Sequence, residues 1–406
     1  MKVALVPRGT GSGHNMRLYA IGKAIKDKNA SINEYAFLES LKGTFSKMFE
    51  SIGARVIDMS QGRQLDYSKG SILTSKLNWN SLINGFLGPT IFNSAKILFL
   101  INLFNEQKID LVISDLDISA IVAANFCGIK SILVSERYEL PISKFTNDDL
   151  KNAGFEIDSK EVTEVHKVIK NVFDWGLDNA TRVVTDCPYV DKLDKKLHFK
   201  DLLDDGHAIF VGPIIRKNRV KVDNADIRKQ YHIKMDDFLI VAAVGGTTMF
   251  SDDKKKMQQN YIQTFKKLRQ VNPHVKMILL ARDHLSVPDG MTCLQYLPNW
   301  YGLLKTSDIV LTHPGWITVT ELSALKIPAI FSISSRREYH EWDELIRLKA
   351  LGYYIDVGCD PNKLANRIGA IWQHKLNISE LTKNYSKVAP WENGADRVAN
   401  IALSLN

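Results

Sequence analysis

Residues 308–330 read DIVLTHPGWITVTELSALKIPAI, and this stretch decides the fold. Ile309 to Leu311 form an apolar run of strand character, which Pro314 and Gly315 end. A helical pattern starts at Trp316, and Pro328 closes it just before a second apolar run at Ala329. Two parallel strands need a helix-length connection, so strand, tight turn, helix and strand in this order make a parallel crossover unit. The first amides of such a helix are free to hold an anion. Glu321 follows Ile317 and Thr318 by four and three residues and shares their helical face. An acid there accepts hydrogen bonds from ribose hydroxyls while the amides take a diphosphate, or it simply complements the helix dipole.

The same alternation extends in both directions. Upstream come FLIVAAVGG, a helix over QQNYIQTFKKLRQ, VKMILLA, MTCLQYL and a short helix near 300–306, and downstream PAIFSI, a helix to about 351 and GYYIDV. The first half repeats the pattern with KVALV, a helix from about 15 to 27, ARVIDM, DLVISD, a helix through ISAIVAANFCG, KSILVSE, a helical region near 160–180, ATRVVTD and AIFVGPIIRK. Pro213 and the polar stretch KNRVKVDNAD read as a junction. The expectation is an α/β protein with two Rossmann-like, doubly wound domains that face one another across a cleft. Residues 1–212 form the first domain and 213–388 the second, with 389–406 a closing helix that returns to the first.

The 406 residues, 45% hydrophobic and 24% charged, suit two globular domains rather than one core. No apolar run is long enough to span a membrane and the first residues read as a strand, so a cytoplasmic protein is expected. Cys127, Cys187, Cys293 and Cys359 have no paired spacing, which argues against a zinc site or a disulfide framework. The net charge of +8 favours an anionic partner. Its lysines are interleaved with acids and lack an aromatic stacking pattern, so nucleic acid is not expected.

Two glycine-rich turns follow strands. In GTGSGH, Gly9, Gly11, Ser12 and Gly13 precede His14 at a helix start, where imidazole is suited to taking a proton near neutral pH or to filling a polar turn. In AAVGGTTMF, Gly245 and Gly246 with the hydroxyls of Thr247 and Thr248 can meet a phosphate, and a turn dictated by packing explains them equally well. Asp115 and Asp117 are spaced as a metal-binding pair but read better as a strand end and a helix cap. No metal is expected.

Taken together, these pieces resemble the glycosyltransferases of the GT-B fold, MurG-like (family 28) type. The features that carry the likeness are the Gly-turn before TVTEL, the PAI strand, the polar cluster before LKALG, GTGSGH, SAIVAANFCGIKSILVSE and VGPIIR. The resemblance implies that Glu321 holds the ribose of a uridine nucleotide and that the backbone at Leu297 reads the uracil. It places His313, Gly315, Trp316 and Thr318 around the donor and Gly245, Gly246, Thr247 and Thr248 beside its diphosphate. His340 and Glu341 fall where the family has two glutamines on the donor sugar, and Glu344 where it often has asparagine. On the acceptor side His14 is the family's loop histidine, flanked by Gly11, Ser12 and Gly13, and Glu136 is the acid after its central strand. Either His14 or Glu136 is the base.

The activity so implied is inverting, metal-independent transfer of a sugar, N-acetylglucosamine first, from a UDP donor to a hydroxyl of a polyprenyl-linked acceptor. No cofactor beyond the UDP-sugar is expected. Residues 84–104, with Lys96 their single charge, read either as a patch that meets the inner face of the membrane or as buried core. A UDP-sugar hydrolase or 2-epimerase and a non-catalytic nucleotide-sugar binder are the alternatives.

Overall fold

The computed structural model describes residues 1–9, 12–38, 42–59, 77–78, 92–152, 154–216, 223–244, 251–281, 284–295, 297, 300–391 and 393–405. Two compact units make up the chain: Met1–Lys217 with Trp391–Asn406, and Asn218–Pro390. The sequence places these divisions at 212/213 and 388/389.

Unit 1 is built on seven parallel strands. In chain order they and their principal helices are β1 Lys2–Pro7, α1 Ser12–Lys28, β2 Asn33–Leu38, α2 Lys42–Ser51, β3 Arg55–Asp58, α3 Ser94–Gln107, β4 Leu111–Asp115, α4 Ile118–Phe126, β5 Lys130–Ser135, α5 Ser159–Asn179, β6 Arg182–Thr185 and β7 Ala208–Phe210. Their order across the sheet is β3-β2-β1-β4-β5-β6-β7. The order reverses between β1 and β4, and in open parallel sheets ligands bind beyond the carboxyl ends at such a point. Val3 to Val6 have no exposed surface, as expected of a strand covered on both faces by crossover helices.

β2 is absent from the sequence reading. Its first residues, Asn33 and Glu34, are polar; Asn33 is exposed, but Glu34 is buried with the YAFL that follows. Residues 84–91 lie outside the described residues. Within 92–104, α3 turns Ile97, Leu100 and Phe104 into the core, where the Phe104 ring stands edge-on to Phe37 at 5.5 Å. Lys96, the single charge, is buried and paired with Asp117. Asp117 also caps α4 by accepting from the Ala120 amide. This part of the apolar stretch is therefore a core helix along one face, while Leu98 and the preceding Phe92 stay exposed at 66% and 44%.

Unit 2 carries six parallel strands. It runs β8 Phe238–Ala243, α6 Ser251–Val271, β9 Val275–Leu280, β10 Met291–Leu294, α7 Tyr301–Thr306, β11 Ile309–Thr312, α8 Trp316–Leu325, β12 Ala329–Ile333, α9 Tyr339–Leu351, β13 Ile355–Val357 and α10 Pro361–Trp372. The order β10-β9-β8-β11-β12-β13 has its reversal between β8 and β11, matching that of unit 1. Gly352 ends α9 with φ of 85°, a left-handed cap that glycine adopts without strain. Among the described residues no helix is long and apolar enough to cross a membrane.

The last helix, α11 Gly394–Ser404, packs on α1 in unit 1. Its approach is set by glycine. Gly212 has φ of 75°, and a Cβ there would stand 2.3 Å from Trp391 Nε1. That indole donates to the Val211 carbonyl at 2.5 Å, and the Gly394 amide donates to the Pro213 carbonyl at 2.7 Å. Gly212→Ala is therefore expected to lower the stability of unit 1 by about 2 kcal/mol, through backbone strain and loss of the indole's seat. A urea midpoint equal to wild type would refute this.

Candidate functional site

In unit 1 the sequence places an acid just at or after the carboxyl end of three neighbouring strands: VISD at 112–115, LVSE at 133–136 and VVTD at 183–186. The preceding hydroxyl is buried each time and ties the turn. Ser114 Oγ donates to the Asp117 carbonyl, Ser135 Oγ to the Arg137 carbonyl, and Thr185 Oγ1 accepts from the Cys187 amide. The result is that Asp115, Glu136 and Asp186 converge on one place. α1 brings His14 and Arg17 to them, one turn apart on one helical face.

Arg17 has no exposed surface. Its Nε and Nη2 donate to the two oxygens of Asp115 at 2.7 and 2.9 Å, and its Nη1 donates to Glu136 Oε2 at 2.5 Å. Asp186 Oδ2 is 3.9 Å from the same Nη1. His14 Nδ1 lies 2.8 Å from Asp115 Oδ1. Burial would raise the Asp115 carboxyl, but Arg17 and His14 outweigh it and hold it below the usual carboxylate range. Burial likewise opposes ionisation of Glu136, and Arg17 and Arg137 hold it far below that range. Asp186 goes the other way, pushed up to about 7 because burial wins over Arg17. An ionised Asp115 can only accept, so a proton on Nδ1 of His14 would be shared with it in a hydrogen bond and would leave Nε2 as the basic nitrogen.

His14 itself is 8% exposed, and Ser12 and Gly13 are half-buried in the first turn of α1. Gly11 lies outside the described residues. The sequence reading treated Asp115 only as a strand end; the structure makes it also the partner of His14, and adds Arg17 and Asp186, which that reading missed. The repeated strand-hydroxyl-acid pattern was the available signal.

In unit 2 the stretch 308–330 folds as strand, turn and helix. His313 follows β11, and Gly315 is the residue before the first turn of α8. His313 is 3% exposed, and burial pushes its imidazole down to about 3, so it is neutral. Glu321 is buried, and α7 supplies its donors: Trp300 Nε1 reaches Oε2 and the Tyr301 hydroxyl reaches Oε1, each at 3.1 Å. Trp300 and Tyr301 carried no role in the sequence reading.

Glu341 Oε1 stands 3.7 Å from His313 Nδ1. His340 packs against the Tyr339 ring at 4.2 Å, and Glu344 is buried on the same helix. His313, Glu338 and Glu341 together offer ligand atoms within 4.8 Å of one another, a set able to hold a metal ion. Thr318 is half-buried, Trp316 is buried, and Leu297 is half-buried between β10 and α7. Gly245, Gly246, Thr247 and Thr248 lie outside the described residues.

Residues 241–398 match the glycosyltransferase family 28 C-terminal domain. An uncharacterized glycosyltransferase of Methanopyrus kandleri is 23% identical over 261 residues, covering 63% of this chain and 67% of that protein. Among solved structures, the spinosyn forosaminyltransferase SpnP superposes with a TM-score of 0.66 at 11% identity, over 100% of this chain and 99% of that one. A putative UDP-N-acetylglucosamine 2-epimerase from Listeria monocytogenes gives 0.60 at 10% identity, over 98% and 93%. The fold is that of the GT-B glycosyltransferases, two parallel sheets with alternating helices. The chain is a glycosyltransferase that carries a family 28 C-terminal domain.

Proposed function

We propose that the protein transfers a sugar from a UDP donor to an acceptor hydroxyl with inversion at the anomeric carbon, His14 acting as base. The observation that carries this reading is the 2.8 Å contact between His14 Nδ1 and buried Asp115. The acceptor oxygen gives its proton to His14 Nε2 as it bonds to the anomeric carbon, and UDP departs with the electrons of the broken C–O bond. Asp115 stabilises the imidazolium that results. Glu136 is a poorer base, because Arg17 and Arg137 favour its ionised form and so weaken its hold on a proton.

Glu321 holds the donor ribose, oriented by Trp300 and Tyr301. Glu321→Gln is expected to weaken UDP binding by about tenfold to a hundredfold, the range for a hydrogen bond to a charged group. Calorimetry with UDP and 2′-deoxy-UDP checks the assignment: the wild type should discriminate between them and the variant should not.

Donor sugar and acceptor follow the family resemblance, N-acetylglucosamine and a lipid-linked sugar. Exposed Phe92 and Leu98 on unit 1, at 44% and 66%, support an apolar acceptor. The test is UDP release from a panel of UDP-sugars, with and without extracted membrane lipids and with EDTA. Lipid-dependent release that survives EDTA is expected. Acceptor-independent turnover would favour the hydrolase or 2-epimerase, and loss in EDTA would turn attention to His313, Glu338 and Glu341 as metal ligands.

A further inference from the structure

His14 Nδ1 has two charged neighbours that ask opposite things of it. Asp115 Oδ1 lies at 2.8 Å and Arg17 Nη2 at 3.1 Å. A guanidinium only donates, and an ionised carboxylate only accepts. With its proton on Nδ1 the ring donates to Asp115, and Nε2 is free to take a proton. With Nδ1 bare it accepts from Arg17, the proton sits on Nε2, and the ring cannot act as a base there.

Arg17 settles this competition through Asp115. Its Nη2 donates to Asp115 Oδ1 at 2.9 Å, and its Nε holds the other oxygen at 2.7 Å. The carboxylate is thereby pinned at both oxygens by one guanidinium. Nη1 is anchored in turn by Glu136 at 2.5 Å, which holds the guanidinium in this fork; its Nη2 faces the ring at 3.1 Å, farther than the charged Asp115 oxygen at 2.8 Å.

We propose that Arg17 is a positioning residue that selects the tautomer of His14: by fixing both oxygens of Asp115 it directs the ring proton to Nδ1 and reserves Nε2 for the acceptor. Its catalytic consequence rests on His14 being the base, as proposed above; the tautomer itself does not. The fork also explains why Glu136 sits beside the histidine without serving as base. It is the anchor of the guanidinium.

The test uses the full chain labelled with 15N-histidine. Long-range 1H–15N spectra near neutral pH report the tautomer of each ring, and the His14 signals are those missing from His14→Gln. Wild type should show the proton on Nδ1. Arg17→Lys keeps the charge but cannot hold both oxygens, so the minor tautomer should grow about tenfold, with kcat falling by a similar factor and the donor KM within about twofold. Asp115→Asn, whose amide can donate to Nδ1, should reverse the tautomer without any change at Arg17.

A wild-type ring protonated on Nε2 would overturn the proposal, even if Arg17→Lys failed to fold. So would Arg17→Lys with an unchanged tautomer. Full transfer activity in His14→Gln would instead refute His14 as base, a separate failure that leaves the tautomer measurement standing.

Discussion

His14→Ala is expected to lower kcat for glycosyl transfer by about a thousandfold while UDP-sugar binding changes by less than about twofold. The acceptor hydroxyl is a weak nucleophile until a base takes its proton, and in the proposed mechanism that base is Nε2 of His14, with Nδ1 turned to Asp115. Glu136 does not replace it, since its charge is committed to Arg17 and Arg137. Asp186, with its carboxyl pushed up to about 7, has no exposed surface and so no path to a substrate. Steady-state kinetics with a direct binding measurement separate the two parameters. A variant that keeps a tenth or more of wild-type kcat would remove His14 from the mechanism.

The second large effect concerns stability and lies away from that cluster. Glu34 is 1% exposed on β2, and among the described residues neither of its carboxylate oxygens has a hydrogen-bond partner. Its surroundings are apolar: a Cβ added at Gly22 would touch Leu5, Ile52 and Glu34 itself. Lys26 offers little relief, because its ammonium donates to the carbonyls of Ile32 and Ala30. Burial pushes the Glu34 carboxyl up to about 8, with Lys26 pulling weakly the other way. The folded chain thus keeps a proton that the unfolded chain gives up near 4.5.

Stability from this group is fully present below about 4.5 and is lost as pH rises toward 8, by about 1.4 kcal/mol per pH unit. At pH 7 that amounts to roughly 3 kcal/mol, and Glu34→Gln should recover most of it. Asp186 contributes with the same sign between 3.8 and about 7. Asp115 and Glu136, held low, contribute oppositely: their stabilisation is present above the ordinary carboxylate range and is lost on acidification. Urea unfolding of unit 1 at pH 5, 7 and 8.5 gives the slopes. Parallel slopes for wild type and Glu34→Gln would refute the assignment.

Glu34 also shows why one strand escaped the sequence. NEYAFL opens on two polar residues, so its apolar run is only four long, and a buried acid reads as a surface one. By contrast DIVLTHPGWITVTELSALKIPAI was legible because each device is local: apolar run, Pro-Gly turn, helical spacing, Pro stop. His14 and Glu321 were legible for the same reason, as polar residues beside a turn. The partners that orient them were not. Asp115 comes to His14 from 101 residues along the chain, and Trp300 comes to Glu321 from 21. Only the sheet order brings such groups together. Residues 92–104 show the limit from the other side: the sequence leaves surface patch and buried core both open, since an apolar stretch says nothing of which side faces the core until α4 is known to lie against it.

Unit 1 begins with the first residues of the chain and is completed by Trp391–Asn406, while all of Asn218–Pro390 is translated in between. At ordinary rates of synthesis that interval is on the order of ten to forty seconds. During it unit 2 has every residue it needs, whereas α1 waits with the face that α11 will cover still open to water. A nascent chain therefore finishes its second half before its first, and the surface of α1 is what a ribosome-associated chaperone would have to guard until α11 arrives.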